Sequence, residues 1–123
     1  GIDFTARDVQ SDLKTKGLPW EKAKAFDSSA FVSPLRSITN VEEYLNQDIC
    51  FSLSKNSKLV QNGNSKLMIW NIAELIQDIS QYFTLKTGDL IFTGTPSGVG
   101  PVKIGDKLEG FLSNEKVFEL LIK

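Results

Sequence analysis

The chain has 123 residues, a formal net charge of -1 at pH 7 and a pI of about 5.4, with 41% hydrophobic and 24% charged residues. That balance is the profile of one soluble globular domain and excludes a disordered chain. Lysines interspersed with carboxylates form a mixed surface, with no electrostatic footprint for nucleic acid or an anionic membrane.

In chain order, residues 6–16 read as a short helix that Thr5 can cap and Gly17 can end in a left-handed conformation. Leu18 precedes Pro19 and is pushed out of helical geometry. Residues 21–40 are mixed, with Pro34 as a breaker. Asn40 followed by Glu43 resembles a capping box, which predicts a helical turn over 41–45. Ile49, Phe51 and Leu53 alternate with Cys50, Ser52 and Ser54, the period of a half-buried strand. Lys55 to Lys58 reads as a turn, and residues 59–62 as the returning strand, broken by Gly63 and Asn64.

Ile72, Leu75, Ile76, Ile79 and Phe83 recur at helical spacing and predict the main amphipathic helix over 71–83, with Asn71 as its cap. Residues 89–92 read as a strand entering the glycine-rich stretch from Thr93 to Gly105. Strands near 107–112 and 117–122 follow, joined by a turn at 113–116. The fold expected is a single α+β domain over 1–123, mainly β.

There is no histidine, and Cys50 is the only cysteine. Together these exclude Ser-His-Asp and Cys-His nucleophiles, histidine or cysteine zinc sites, and an internal disulfide within these residues. No apolar run is long enough to span a membrane, and no secretory signal pattern is present. Chemistry here would fall to carboxylates, lysine, hydroxyls, amides and a hard metal ion.

Three segments could carry it. In Asp3 to Gln10, Asp3 could ligate Mg²⁺ or Mn²⁺ and Arg7 could grip a carboxylate; composition alone favours helix capping and a structural salt bridge. In Lys16 to Asp27, a lysine between aromatic residues could stabilise an oxyanion; taken alone, a surface lysine beside a core Trp20 and Phe26 is the better reading. In Thr93 to Pro101, backbone N–H groups and threonine hydroxyls could form an anion nest, or the glycines could simply connect strands. The last segment matches neither a Walker A loop nor a dinucleotide fingerprint, which disfavours a nucleotide-binding module. Met68 and Trp70 are expected in the core, and Cys50 buried or half-buried.

Taken together, DFTARDVQ (3–10), KGLPWEKAKAFD (16–27), QNGNSKLMI (61–69) and TLKTGDLIFTGTPSGVG (84–100), followed by Gly105-Asp106, resemble the C-terminal part of the fumarylacetoacetate hydrolase family. The nearest look is to acylpyruvate hydrolases, oxaloacetate decarboxylases and oxaloacetate tautomerases. Ser57 and Ser65 depart from the glycine and threonine usual at those positions.

The resemblance implies a mixed β-roll and a homodimer, located in the cytoplasm or, in a eukaryote, the mitochondrial matrix. It implies a Mg²⁺ or Mn²⁺ held by three carboxylates, of which Asp3 matches the third. The other two belong to an upstream Glu-x-Glu motif that these residues lack, as they lack the family's His–Glu lid pair. Lys24 matches the catalytic lysine. Gln10 and Arg7 match polar groups near the substrate, and Gly94 and Thr95 match the loop that meets the substrate carboxylate.

The implied chemistry is formation of a metal-stabilised enolate of a small 2-oxo acid. C–C hydrolysis of an acylpyruvate is the first reading. Oxaloacetate decarboxylation or tautomerisation, or a non-catalytic fragment or subunit, are the alternatives.

Overall fold

A computed structural model describes residues 1–123, which divide into two compact units, 1–35 and 36–123. The architecture is α+β, with four α-helices, a two-stranded sheet and a four-stranded sheet.

In the first unit, strand β1 (Ile2–Asp3) pairs antiparallel with β2 (Ala30–Phe31), placing Asp3 opposite Ala30. Helix α1 (Arg7–Thr15) and the short α2 (Glu21–Lys24) lie between them in sequence. The Ala6 N–H donates to the Ala23 carbonyl at 3.0 Å, and Ala23 is fully buried. A methyl-sized side chain there lets the two backbones approach.

The start of α1 differs from expectation. Its N-cap is Ala6, with no side-chain cap, because the Thr5 hydroxyl is engaged by Lys24 instead. Its end follows expectation. Gly17 (φ +65°) donates to Lys14 O and Leu18 N–H to Leu13 O, the paired bonds of a Schellman motif, whose left-handed residue favours glycine. Trp20 and Phe26 are not core residues. Trp20 is half exposed and carries the Lys14 ammonium 5.3 Å from its ring centroid. The four residues of α2 were too few to show periodicity in the sequence.

In the second unit, helix α3 (Val41–Asn46) begins where Asn40 accepts the Glu43 N–H. Strands β3 (Cys50–Lys55), β4 (Lys58–Asn64), β5 (Lys107–Leu112) and β6 (Glu115–Leu121) form an antiparallel sheet in the order β4-β3-β5-β6. β4 continues through Gly63 and Asn64, where a break was expected. Gly63 pairs with Phe51, whose ring occupies the space a Cβ would need, so the glycine is a packing partner and not a breaker. Gly110 lies under the Phe118 ring in the same way. Leu108 is the most buried large side chain, at 2% exposure.

The β3–β4 connection is a two-residue turn, Asn56-Ser57, with both residues left-handed (φ +50° and +65°). That is the type I′ pattern whose twist suits a hairpin. The Asn56 side chain accepts the Lys107 N–H and donates to Asp106, each at 2.8 Å, which locks this turn to the start of β5.

After β4 comes a short 3₁₀ turn (Ser65–Leu67), then α4 (Ile72–Ser80). Asn71 and Glu74 form a full reciprocal capping box, as the cap residue predicts. The helix stops short of 83 because Gln81 and Tyr82 donate three residues back in a tightened turn. At nine residues it equals α1 in length.

Residues 89–92 form no strand. Asp89 instead closes a turn on Lys86, and a strand without a ladder partner has no backbone bonds to hold it. Cys50 is exposed and Trp70 is half exposed, against expectation; the alternation in β3 is carried by Phe51 covering Gly63, not by a closed core on one face.

Two outcomes follow. Ser57→Gly should raise unfolding free energy by about 1 kcal/mol, since a left-handed non-glycine residue costs roughly that much, read from urea denaturation. Asp106 is held below the usual carboxylate range by the Asn56 amide, then by the Lys103 N–H and the Lys55 ammonium. A depressed folded value means that the carboxylate stabilises the fold above the unfolded value, about 4, and that this contribution fades as pH falls through the folded one. Asp106→Asn should therefore flatten the loss of stability on acidification below about pH 4, checked by denaturation midpoints across that range.

Candidate functional site

The first unit gathers a cation between two oxygens. The Lys24 ammonium donates to Asp3 Oδ2 at 2.6 Å and to Thr5 Oγ1 at 2.7 Å. Three elements produce this. β1 carries Asp3, pinned by its ladder to β2 and by the Phe4 N–H donating to Ser29 O. Thr5 follows in the bend before α1. Lys24 ends α2, whose position is set by the Ala6–Ala23 backbone bond.

An ammonium has three hydrogens and no acceptor. Two are used here, so one is free for an incoming oxygen.

Arg7, at the first turn of α1, donates from Nη1 to Gln10 Oε1 at 2.8 Å, and Gln10 is buried at 8% exposure. The bond spans one helical turn and leaves four of the five guanidinium N–H groups for other acceptors. The structure thus brings Asp3 and Lys24 together, and Arg7 and Gln10 together. Thr5 is the member that sequence reasoning assigned elsewhere, as a helix cap.

Does this set suit a divalent cation? Mg²⁺ and Mn²⁺ take near-octahedral oxygen coordination. Asp3 offers one carboxylate, already neutralised by Lys24, and no group of three or more acidic, thiol or imidazole side chains comes together in the chain. By themselves these residues do not fit the ion.

In the second unit, Gly94 (φ +103°) and Thr95 lie in the loop that follows residue 92. Thr95 Oγ1 accepts a hydrogen bond from Gln61 Nε2 of β4 at 2.9 Å, and the same nitrogen donates to Pro96 O at 3.2 Å. Gln61 lay within a matched segment, but no role attached to it. Gly98 (φ +100°) lies against the Val60 carbonyl so closely that a Cβ would overlap its oxygen. The loop is therefore fastened to β4 at two adjacent residues.

Comparison with known proteins now decides the family. The model for the C-terminal part of fumarylacetoacetate (FAA) hydrolase matches residues 1–122. The chain belongs to the fumarylacetoacetate hydrolase family.

Among family members, oxaloacetate tautomerase YcgM of Escherichia coli K12 is 47% identical over 109 residues, covering 87% of this chain and 48% of that protein. The mitochondrial oxaloacetate tautomerase FAHD1 of Mus musculus is 44% identical over 108 residues, covering 88% and 48%. A crystal structure of fumarylpyruvate hydrolase from Pseudomonas aeruginosa in complex with Mn²⁺ and pyruvate aligns with TM-score 0.85 at 36% identity, over 98% of this chain and 50% of that one. The chain spans about half the length of these family members, and over that half it shares the fold of the Pseudomonas enzyme. No helix is long and apolar enough to cross a membrane.

The Lys24–Asp3 pair is partly exposed, with side chains 37% and 46% accessible. Solvent screening holds such pairs to under about 1 kcal/mol. Lys24→Ala should therefore leave the unfolding free energy within about 1 kcal/mol of the parent, measured by denaturant titration.

Proposed function

We propose that this chain is part of an enzyme acting on a small 2-oxo acid through its enolate, and that oxaloacetate keto–enol interconversion is the reaction. The observation that carries the reading is the Lys24 ammonium, fixed by Asp3 and Thr5 with one hydrogen unassigned. Family members named as oxaloacetate tautomerases, at 47% and 44% identity, support the substrate. C–C hydrolysis of an acylpyruvate is the second reading, favoured by the fumarylpyruvate hydrolase structure.

In this reading the keto acid gives its C3 proton to a water molecule, and negative charge collects on the C2 oxygen. The free hydrogen of Lys24 meets that oxygen. A donor already held in place needs no reorganisation as the charge grows, which is why such groups accelerate enolisation. Arg7 and Gln10 supply N–H donors for substrate oxygens. Thr95 with the backbone at Gly94, in the second unit, is read separately as a carboxylate-binding group. Return of a proton to C3 or to the oxygen completes the isomerisation with no atom gained or lost.

A divalent cation, Mg²⁺ or Mn²⁺, belongs to the reading. Asp3 would be one of its ligands and the remaining donors would come from beyond these residues; the Mn²⁺ complex of the Pseudomonas enzyme supports the ion. A homodimer, free of nucleic acid and membrane, in the cytoplasm or mitochondrial matrix, completes it. The mitochondrial mouse relative supports the second location.

The test is turnover of oxaloacetate enol and of acetylpyruvate by the whole protein, with Mg²⁺, with Mn²⁺ and after chelation. Metal-dependent enol loss above the buffer rate is expected. Metal-dependent acetylpyruvate cleavage in its place would establish the second reading, and turnover of neither would overturn both. Lys24→Ala should lower kcat by about a hundredfold or more, the usual scale for losing one preorganised oxyanion donor. A kcat within a few-fold of the parent would remove Lys24 from the chemistry.

A further inference from the structure

The Thr95 hydroxyl has a fixed direction, and β4 sets it. Pro96 O can only accept, so the Gln61 side-chain atom facing it at 3.2 Å must be the NH₂ group. The same nitrogen lies 2.9 Å from Thr95 Oγ1. An amide NH₂ has two hydrogens and no acceptor capacity, so it donates to both oxygens. Thr95 Oγ1 is thereby an acceptor towards β4, and its only hydrogen is left to point elsewhere.

The loop rests on the edge strand β4, whose ladder to β3 shifts register beside Gln61. Gln61 pairs with Leu53 in the ladder of β3, a strand bonded on both edges. One residue earlier, the Val60 carbonyl lies against Gly98 of the same loop.

We infer that Gln61 is a positioning residue for the substrate carboxylate: its amide consumes the acceptor side of Thr95 and so commits the threonine proton to the ligand. The inference rests on the reading of Thr95 as a carboxylate donor. Gln61 touches no substrate. It acts by fixing which way one hydrogen points, and the prediction is specific to binding. Losing it weakens capture of the carboxylate and leaves the enolisation step, which depends on Lys24, unchanged.

Gln61→Glu is the discriminating variant. It keeps the shape but replaces the donor by a carboxylate that only accepts. The Thr95 hydroxyl must then turn its hydrogen inward. Gln61→Met removes the donor without inverting it and keeps the test usable if the glutamate variant does not fold.

The experiment measures pyruvate affinity by calorimetry and KM and kcat for oxaloacetate enol, using the whole metal-loaded protein. The forms compared are the parent, Gln61→Glu, Gln61→Met, Thr95→Val and the Thr95→Val/Gln61→Glu double variant. Expected are a rise in Kd and KM of about tenfold or more in Gln61→Glu, the scale of one hydrogen bond to a charged group, and a smaller rise in Gln61→Met. kcat should stay within about threefold, and Gln61→Glu should add nothing in the Thr95→Val background.

A fall in kcat at unchanged Kd and KM would mark a merely structural role and overturn the inference. So would a normal Kd in both Gln61 variants beside a weakened Thr95→Val. A normal Kd in Thr95→Val would instead overturn the carboxylate role of Thr95 and, with it, this inference. Failure of the parent to bind pyruvate would overturn the 2-oxo-acid reading itself.

Discussion

β3 and β5 are the two strands of the larger unit bonded along both edges, and β3 is the one that sets the register of β4 and of β5. Its pairing with β4 places Phe51 over Gly63, and its pairing with β5 brings Lys55 opposite Leu108, the most buried large side chain. A one-residue slip would exchange the two faces of the strand and strand the Phe51 ring away from its glycine. Register is held at one end by the Asn56 turn, whose side chain bonds to residues at the head of β5. It is held along the strand by the aromatic–glycine fit. What reaches the candidate site from this is the position of Val60 and Gln61 on β4, on which the Thr95 loop rests.

What the sequence made legible, and what it hid, follow from how local each determinant is. Asn71 and Glu74 lie three residues apart and cap α4 by contacts between themselves, so the sequence alone reveals them. Gly17 is the same kind of case, since the Schellman bonds close within six residues. Residues 89–92 carry strand-like side chains, but a strand exists only with a ladder partner, and that is a property of the whole fold. Gly63 was misread for a related reason. A glycine inside a strand pattern is a breaker unless a ring from the neighbouring strand covers it, and the ring of Phe51 is twelve residues away.

The candidate site shows the same division. Motif resemblance singled out Asp3, Arg7, Gln10, Lys24, Gly94 and Thr95 without geometry. It missed Thr5 and Gln61, which differ in kind from the others. Each acts on a neighbour: Thr5 takes one hydrogen of Lys24, and Gln61 gives one to Thr95. Thr5 was concealed by a plausible alternative, since a threonine before a helix reads as a cap. Gln61 was concealed because a polar residue on an outer strand raises no question until its partners are known.

Both cases obey one accounting of hydrogens. A lysine ammonium with three donors, anchored through two, presents one in a fixed direction; left unanchored, it would present all three to water and lose them to solvation. A threonine hydroxyl can serve as donor or acceptor, and an amide beside it removes that choice. In each the scaffold supplies the partners that make the remaining hydrogen directional, and directionality is what distinguishes a preorganised oxyanion or carboxylate site from a merely cationic or polar surface. An exposed Lys–Asp pair adds little to stability. Its worth lies in the orientation it imposes, so the same contact can be nearly silent in a denaturation curve and decisive in a rate.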